Sequence, residues 1–300
     1  MIAQETCALC EGREFSKYCD VPPYTLVKCT VCGLVFVSPL PEEDEIKRIN
    51  ESIYSCDDYR EIYLADACFF RRWSKDKLKT IEAFCPRKGK ILDFGCSCGH
   101  FLEVARKRGW DIYGVEMNPI NADYAQKRLG DKIFKGTIED GPFASDIFDV
   151  ITLWDVLEHI AQPVEFLRRL QKRLAPSGII CIQAPNIESY ISDLKGKDWD
   201  WLSPGDHLYF FSQKTLHSTL EKAGLKPIYS TTWQPYGYLI DNLFGFNHRD
   251  NAFFRLYRKT VVRILRKLLF PLFAPLQWIL KRRNKGALVM TFGAVKEEQA

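Results

Sequence analysis

The sequence has no uninterrupted apolar run of about 20 residues, the length that a helix needs to cross a lipid bilayer. It also contains no internal repeat, which excludes a solenoid or another repeat architecture. Residues 1–20 are polar and contain cysteine, so we expect no secretion signal. Eleven cysteines in such a chain predict a reducing compartment, here the cytoplasm, and metal binding or packing rather than disulfides.

Two common signatures of phosphate binding are missing as well. No glycine turn is followed by Gly-Lys-Ser or Gly-Lys-Thr, which excludes a P-loop. The G-x-G-x-x-G pattern of dinucleotide-binding proteins is also absent. With 300 residues and 46% hydrophobic content, the chain is nevertheless long enough for one large globular domain with appendages.

The most informative segment that is present is Lys90–Leu102, with the sequence KILDFGCSCGHFL. Ile91 and Leu92 predict a buried strand, and a glycine turn and the start of a helix follow it. Gly95 and Gly99 allow the backbone to turn sharply and to approach a ligand closely. Such a turn exposes helix N-terminal amides at the carboxyl edge of a parallel sheet, where nucleotide-like ligands bind.

Two acidic residues narrow the class of ligand. Asp93 lies in the turn, where it would repel a pyrophosphate and suits a ligand with a positively charged amine. Glu116 ends the next predicted strand, which is the place of an acid that accepts hydrogen bonds from two ribose hydroxyls. A glycine turn, a cationic ligand and a ribose-binding acid together point to S-adenosylmethionine.

These features resemble the class I S-adenosylmethionine-dependent methyltransferases, in particular the branch that acts on small molecules. The resemblance covers about residues 88–233, with a last strand near 286–295. It implies an α/β fold with a Rossmann-like seven-stranded mixed sheet and an antiparallel last strand. Ser97 stands where many members have a glycine, and we expect the turn to survive this change. The matching segments follow in the family's order: Ile91–Gly99, Gly114–Glu116, Gly136–Phe143, Phe148–His159, Leu174–Ile180, Ala184–Asn186 and Asp206–Ser212.

The resemblance also implies roles for individual residues. Asp93 and the glycine turn would hold the methionine part of S-adenosylmethionine, Glu116 the ribose, and residues 137–139 would face the adenine. Trp154 and Asp155 would line the cofactor and acceptor side. The complete set of expected cofactor-binding residues is Asp93, Gly95, Cys96, Ser97, Gly99, Glu116, Met117, Thr137, Ile138, Glu139, Trp154 and Asp155.

Four cysteines near the start of the chain predict a zinc-ribbon-like module. Cys7 and Cys10 form one C-x-x-C pair and Cys29 and Cys32 another, with a gap that falls in the roughly 15–20 residues typical of four-cysteine zinc sites. Four ordinary buried cysteines would not explain this paired spacing. The segment between the pairs is not strongly basic, which argues against a ribbon that binds nucleic acid. We expect instead that the module is structural and covers the methyltransferase pocket.

Two histidines are candidates for acid–base catalysis. Methylation of an oxygen acceptor often needs a base that removes its proton. His159 follows the predicted fourth strand, and His207 lies in Gly-Asp-His after the fifth, with Asp206 placed to orient it. The alternative is that each histidine only forms a hydrogen bond to a loop.

A strongly basic segment near the C-terminus predicts a surface that binds a membrane. Residues 249–285 contain 11 basic residues and one acid, a net charge of +10, which leaves −6 on the rest of a chain of net charge +4. Residues 252–270 form an amphipathic helical pattern, and we expect Pro271 and Pro275 to break the apolar run that follows. We therefore expect contact with an anionic membrane surface through residues 252–283. The alternative is a helix packed on the body of the protein or at a dimer interface.

Together the patterns predict five parts and one function. The function is methyl transfer from S-adenosylmethionine to oxygen or carbon of a small-molecule or lipid-linked acceptor, on a peripheral protein at the inner face of the membrane. A non-catalytic zinc-ribbon scaffold and an RNA-modifying methyltransferase remain as alternatives. Binding of nucleic acid is disfavoured because the Asn/Asp-Pro-Pro-Tyr motif of base N-methyltransferases is absent after the fourth strand. The predicted parts are a zinc-ribbon-like module (1–40), a helical lid or linker (41–86), the methyltransferase core (87–234), a basic amphipathic helical insertion (235–285), and the last core strand with a tail (286–300).

Overall fold

A computed structural model of the chain describes residues 5–42, 44–46, 48–49, 67–136, 143, 146–244 and 263–295. These residues form two β-sheets and the helices that cover them. The strands are β1 Phe15–Val21, β2 Tyr24–Cys29, β3 Val35–Val37, β4 Lys90–Phe94, β5 Asp111–Glu116, β6 Ile133–Lys135, β7 Phe148–Trp154, β8 Leu174–Pro185, β9 Tyr209–Phe210, β10 Leu225–Trp233 and β11 Leu288–Val295. The helices are α1 Ala67–Phe84, α2 His100–Lys107, α3 Pro119–Leu129, α4 Pro163–Gln171, α5 Tyr190–Lys195, α6 Gln213–Lys222, α7 Tyr236–Phe244 and α8 Arg263–Arg282.

The larger sheet has seven strands in the order β10-β11-β8-β7-β4-β5-β6. The strands from β4 to β8 pair in parallel, whereas β11 is antiparallel to both β8 and β10. Side chains alternate across this sheet, so Ile91 packs with α1 and α2 on one face and Leu92 packs with α4 and α6 on the other. The predicted α/β fold, a Rossmann-like mixed sheet with an antiparallel last strand, is confirmed.

The smaller sheet has four strands in the order β1-β2-β3-β9, all antiparallel. Its first three strands come from the N-terminal segment that contains the two cysteine pairs, but β9 comes from the segment between α5 and α6. Cys7 and Cys29 lie in the same buried cluster as Leu157 and Leu208 of the core. The cysteine module and the seven-stranded domain therefore share one hydrophobic core.

Helix α1 covers one face of the larger sheet and reaches its carboxyl edge. Leu78 and Ile81 are fully buried in the cluster that contains Ile91. Nearer its amino end, Trp73 stacks on Trp233 at the end of β10, with ring centroids 5.2 Å apart and an interplanar angle of 21°. The beginning of α1 therefore forms a wall at the edge where ligands bind in this class of sheet.

The expectation that Pro271 and Pro275 break the C-terminal apolar run is wrong. Helix α8 continues through both prolines from Arg263 to Arg282. The two prolines are four residues apart, and both are exposed. None of the described helices combines the length and the apolarity that crossing a membrane requires. Residues 252–262 of the predicted amphipathic segment lie outside the described residues.

Candidate active site

Four of the predicted cofactor residues meet at the carboxyl edge of the larger sheet. Asp93 lies near the end of β4, Glu116 ends β5, Trp154 ends β7, and Asp155 follows it. Strand β4 pairs in parallel with both β5 and β7, so the three strand ends converge. This is the place at which open α/β sheets bind their ligands.

The carboxylate of Glu116 fastens the glycine turn to the end of β5. Its Oε2 accepts a hydrogen bond from the backbone amide of Ser97 at 2.7 Å, and its Oε1 accepts one from the amide of Asn118 at 2.8 Å. Burial raises the pKa of Glu116, and these amide donors oppose that rise. Each oxygen keeps a second lone pair, so the side chain can still accept hydrogen bonds from two ribose hydroxyls.

The turn accommodates its central serine, as expected. Ser97 has a φ of +46° and lies between Gly95 at +75° and Gly99 at +74°. A Cβ on Gly95 would come within 2.7 Å of the Val156 side chain, and one on Gly99 would come within 2.6 Å of Leu129. The Ser97 hydroxyl is buried and has no hydrogen-bond partner within the described part of the chain. The turn thus offers an unused hydroxyl beside tightly fitted glycines, which suits a closely bound ligand.

Asp93 is buried in a setting that favours a cationic ligand. The residue is only 2% exposed, and its Oδ1 accepts a hydrogen bond of 2.6 Å from the Thr152 hydroxyl. Burial raises the pKa of Asp93 to about 7, although the Thr152 hydrogen bond and the charge of Lys77 oppose this. A positive group brought to this carboxylate lowers its pKa and is itself attracted, which fits the amino group of S-adenosylmethionine.

Lys77 of α1 enters the same site. Its Nζ lies 3.5 Å from the ring centroid of Trp73 and 3.7 Å from that of Trp154. Burial lowers the pKa of Lys77 to about 7, against the attraction of Asp155 and Asp93. An ammonium between two indole rings gains cation–π attraction that partly replaces its lost hydration. The site therefore places one amine of its own among two acids and two aromatic rings.

Asp155 lies between Lys77 on one side and His159 on the other. Its φ of +57° is unusual for a residue other than glycine and costs roughly 1–2 kcal/mol. Both of its carboxylate oxygens accept hydrogen bonds from Nε2 of Gln183, at 3.0 and 2.8 Å. Burial raises the pKa of Asp155, and the charges of Lys77 and His159 oppose this from either side. The neighbouring Trp154 has a buried Nε1 without a hydrogen-bond partner among the described residues, a donor available to a ligand.

The predicted catalytic residues lie together on the other side of Asp155. The rings of His159 and His207 have centroids 4.8 Å apart. Nδ1 of His159 lies 2.8 Å from the Asp206 carbonyl oxygen and 3.1 Å from its Oδ1. Burial alone would lower the pKa of His159, but the hydrogen bond and charge of Asp206 raise it to about 9. Burial and the charge of His159 lower the pKa of His207 to about 4.

Nδ1 of His207 lies 2.9 Å from the carbonyl oxygen of Trp201. A carbonyl only accepts, so this nitrogen carries the proton and Nε2 keeps its lone pair. His159, with its raised pKa, carries a positive charge at neutral pH. The cluster thus pairs a neutral base with a cation, which can accept a proton and stabilise the anion that its loss creates.

Glu158 adds an acid to this cluster. A carboxylate oxygen of Glu158 and one ring nitrogen each of His159 and His207 lie within 4.8 Å of one another. Both oxygens of Glu158 are buried and have no hydrogen-bond partner in the part of the chain that the structure describes. Burial raises the pKa of Glu158, against the attraction of the His159 charge. Such a set can hold a divalent cation as well as move a proton.

Aromatic side chains stand next to the histidine pair. The Trp201 and Tyr238 rings are stacked with centroids 4.2 Å apart and an interplanar angle of 10°. Nε1 of Trp199 donates a hydrogen bond of 3.0 Å to the Tyr238 hydroxyl. Helix α7 and the segment that follows α5 therefore place an ordered aromatic wall beside the cluster, and such a wall suits a flat or apolar acceptor.

The four N-terminal cysteines converge as their spacing predicts. Their sulfur atoms all lie within 4.8 Å of one another, with 3.6 Å between Cys7 and Cys32 and 3.5 Å between Cys10 and Cys29. Four thiolates on a tetrahedral zinc ion at about 2.3 Å would be about 3.8 Å apart. All four are free thiols rather than disulfides. The donor set and its spacing fit zinc.

Some predicted residues lie away from these clusters or outside the described chain. Thr137, Ile138 and Glu139, expected to face the adenine, lie outside the described residues. Met117 follows Glu116 and is 59% exposed, so its side chain is open to a ligand at that edge. Cys96 is buried under the turn, where its sulfur would come within 2.9 Å of a Cβ on Gly114, a packing position.

Three polar residues of the site were not predicted from the sequence: Lys77, Thr152 and Gln183. A signal for each was present, because each is a polar residue within an apolar pattern. Lys77 shares one face of α1 with Leu78 and Ile81, while Thr152 and Gln183 interrupt the apolar runs of β7 and β8. A polar residue on a buried face needs a partner, and these three find theirs at the cofactor edge.

Comparison with known proteins places the chain among relatives. The family described as "Methyltransferase domain" matches residues 65–230. The ubiquinone biosynthesis O-methyltransferase of Cereibacter sphaeroides is 30% identical over 162 residues, which cover 50% of this chain and 66% of that protein. The protein of the same name from Azorhizobium caulinodans is 31% identical over 153 residues, 47% of this chain and 60% of the relative. The chain thus aligns with less than two thirds of the length of these relatives.

Solved structures share the fold at low sequence identity. A didemethyltoxoflavin N1-methyltransferase of Burkholderia thailandensis matches with a TM-score of 0.53 and 14% identity, covering 94% of this chain and 100% of that one. An S-adenosylmethionine-dependent methyltransferase of Archaeoglobus fulgidus matches with a TM-score of 0.51 and 20% identity, covering 78% of this chain and 99% of that one. These likenesses concern the fold alone.

Proposed function

Because this chain belongs to the methyltransferase domain family, we propose that it transfers a methyl group from S-adenosylmethionine to a small-molecule or lipid-linked acceptor. The observation that carries the proposal is the meeting of Asp93, the turn Gly95–Gly99 and Glu116 at one sheet edge. Relatives named O-methyltransferases favour oxygen as the acceptor atom over carbon.

On the cofactor side, S-adenosylmethionine supplies an electrophilic methyl group on a sulfonium. Asp93 attracts the amino group of the methionine part, and Glu116 accepts hydrogen bonds from the ribose hydroxyls. The Ser97 hydroxyl and the Trp154 indole N–H are buried donors that can complete the site. Residues 137–139 remain the proposed adenine contacts. The turn and the strand ends hold the donor in one orientation, which is most of what an in-line displacement needs.

On the acceptor side, the histidine pair removes the proton of the acceptor hydroxyl and stabilises the oxyanion that remains. Nε2 of His207 accepts that proton, since its Nδ1–H is engaged by the Trp201 carbonyl. The charged ring of His159, held by Asp206, stabilises the resulting oxyanion. A low pKa makes His207 a weak base, so the arrangement suits acidic hydroxyls such as phenols and catechols. The stacked rings of Trp201 and Tyr238 offer such acceptors a flat wall.

The remaining parts of the chain complete the proposal. We assign a structural zinc ion to Cys7, Cys10, Cys29 and Cys32, because their sulfur atoms converge on one point. The division into a module (1–40), a lid or linker (41–86), a core (87–234), an insertion (235–285) and a last strand with a tail (286–300) is part of the same proposal.

Helix α8 supports docking on an anionic membrane. Leu272 is 72% exposed and Trp278 is 56% exposed, although both are large apolar side chains. The guanidinium of Arg282 lies 4.0 Å from the centroid of the Trp278 ring, and Lys281 and Arg283 flank it. Apolar side chains with tryptophan beside a basic cluster are typical of helices that lie in the interface of an anionic bilayer. The acceptor would then reach the site from the lipid surface.

Calorimetry with S-adenosylmethionine is the first test, followed by transfer of a labelled methyl group to catechols with and without an apolar tail. The proposal requires micromolar binding and labelled product, with preference for the tailed catechol when vesicles are present. Absence of cofactor binding would instead favour a scaffold that keeps the fold. Binding without transfer to any phenol, but with transfer to RNA, would favour the RNA-modifying alternative.

A further inference from the structure

Strand β9 belongs to the cysteine module's sheet although its residues lie far along the chain. Phe210 pairs with Val35 and Tyr209 pairs with Phe36, so this two-residue strand is the edge of the smaller sheet. It begins two residues after His207. The module is therefore hydrogen-bonded directly to the segment that carries half of the proposed acid–base cluster.

The backbone of Leu208 forms hydrogen bonds in both directions. Its carbonyl oxygen accepts a hydrogen bond of 3.0 Å from the amide of Val37 in β3, and its amide donates one of 2.9 Å to the carbonyl oxygen of Glu158. Glu158 and His159 belong to the turn that follows β7. The backbone of this one residue thus connects the module's sheet to the turn that bears the first histidine.

A second contact lies just before Asp206. Gly205 has a φ of +100°, and a Cβ there would come within 2.9 Å of the Tyr24 ring of β2. The module therefore touches the chain on both sides of Asp206 and His207. The carbonyl and the carboxylate of Asp206 contact Nδ1 of His159, and His207 is the next residue along the chain, so a shift of this segment would move both rings.

The side chains beneath this contact form a continuous core. Phe36 of β3 is fully buried, and its ring lies 6.3 Å from that of Tyr209. Tyr209 donates a hydrogen bond of 2.8 Å to the carbonyl oxygen of Ala161, two residues after His159. Movement of β3 would therefore change both backbone and side-chain contacts of the histidine cluster.

The second cysteine pair flanks the turn that leads from β2 into β3. Cys29 ends β2, Cys32 lies three residues before β3, and the amide of Cys29 donates a hydrogen bond of 2.9 Å to the carbonyl oxygen of Leu34. A metal bound to the thiols of Cys29 and Cys32 and to the other pair would close this β2–β3 turn. The cofactor turn has no such dependence in the contacts described, because Gly95 and Cys96 bond to the carbonyl of Val115 within the larger sheet.

We propose that the four-cysteine module is a positioning element for Asp206 and His207, and that metal bound to its thiolates keeps β3 against β9. The proposal rests on the proposed function for the catalytic role of the histidine cluster. The contacts between the module and the cluster do not depend on that function. Loss of the metal releases the acceptor side of the site and leaves the cofactor side intact. Val37 and Phe36 are then positioning residues, which act through Leu208 and Tyr209.

Hydrogen–deuterium exchange on the full chain tests this with Cys10→Ser and, as the matched control, Cys19→Ser, a cysteine of β1 outside the four-thiol cluster. We expect zinc content to fall from one per chain to near zero only in Cys10→Ser. The amides of Val37 and Leu208 should then exchange at least tenfold faster, while those of Gly95 and Cys96 exchange as in the wild type. The dissociation constant of S-adenosylmethionine should stay within twofold, and the NMR-measured pKa of His159 should fall by a unit or more.

Val37→Pro provides a second route that keeps all four cysteines. It removes the N–H that bonds to Leu208, so zinc content should stay at one per chain while Leu208 exchanges faster. Unchanged exchange at Leu208 in both variants would overturn the proposal, and so would equal loss of protection at Gly95 and Leu208, which is general unfolding. Absence of S-adenosylmethionine binding in the wild type would defeat the proposed function alone, since the exchange and NMR measurements do not need the cofactor.

Discussion

The Oε2 atom of Glu116 accepts a hydrogen bond of 2.7 Å from the backbone amide of Ser97. This bond joins the end of one parallel strand to the glycine turn that follows its neighbour. One carboxylate therefore shapes the turn and is also the proposed acceptor for the ribose hydroxyls. Its replacement should affect binding of the cofactor more than stability of the fold.

Glu116→Gln keeps the size of the side chain but removes its charge and replaces one acceptor with a donor. Hydrogen bonds to a charged group contribute about 1.5–3 kcal/mol, so the affinity for S-adenosylmethionine should fall about 10- to 100-fold. Calorimetry measures this directly. Asp111→Asn is the matched control, because Asp111 begins the same strand at the opposite edge and should leave affinity unchanged. Equal affinity of the Gln variant and the wild type would remove Glu116 from the site.

Lys77→Met should make the protein more stable at pH 6. Burial outweighs the attraction of Asp155 and Asp93 and lowers the pKa of Lys77 to about 7, so a charged ammonium is kept at a net cost that an apolar side chain of similar length avoids. We expect the free energy of unfolding to rise by about 1–3 kcal/mol. Lys75→Met, at an exposed position on the same helix, is the control.

The pH dependence of that difference gives a second check. A group whose pKa is lowered on folding binds its proton more weakly in the folded state, so its cost is full below pH 7 and disappears as pH rises towards 10.5. The advantage of Lys77→Met should therefore shrink between pH 7 and pH 10 in urea unfolding. A constant difference across this range would show that the ammonium carries no such cost.

Asp206→Asn should lower the pKa of His159 from about 9 towards its ordinary value of 6.5. The wild-type pKa is raised on folding, so its contribution to stability is complete below pH 6.5 and is lost as pH rises through about 9. The variant should lose less stability over that window, with a difference of about 3 kcal/mol at most. NMR titration of the ring and urea unfolding at pH 6 and 9 measure the two effects. Asp198→Asn, an exposed acid in the same segment, should change neither.

Leu272→Asp combined with Trp278→Asp should abolish binding to anionic vesicles. The change removes apolar contact and adds two negative charges beside Arg282, so partitioning should fall at least tenfold. Co-sedimentation with vesicles of anionic and of neutral lipid is the measurement. Leu194→Asp is the control, since Leu194 is 54% exposed on α5. Background recovery of the wild type with both lipids would rule out the membrane surface.

The local part of the site could be predicted from the sequence, and the resemblance to class I S-adenosylmethionine-dependent methyltransferases is confirmed by the family match and the fold. Asp93 and Glu116 lie near the ends of strands with recognisable apolar residues, Gly95 and Gly99 follow the first of these strands, and parallel pairing brings the strand ends together. The approach of Lys77 could not be predicted, because its partners come from three separate elements. The course of α8 through Pro271 was not predicted, because proline usually breaks a helix.

The two-residue strand β9 shows a different limit. Two residues, Tyr209 and Phe210, are too few to show the alternating hydrophobic pattern of a strand. Their partners in β3 are set by tertiary packing. His159 and His207 were each predicted as candidate bases, but their convergence was not. The hydrogen bond between the cysteine module and Leu208 follows from the register of β3 and β9, which no local propensity encodes.

The pairing of Val35 with Phe210 in one sheet also has a consequence for folding kinetics. The two partners are about 175 positions apart in the chain, so their pairing closes a very long loop and carries a large entropic cost. We expect the larger sheet to form first and the smaller one to be completed only afterwards, in the slowest step of folding. During synthesis, the N-terminal cysteines are therefore made long before β9, the strand that completes their sheet.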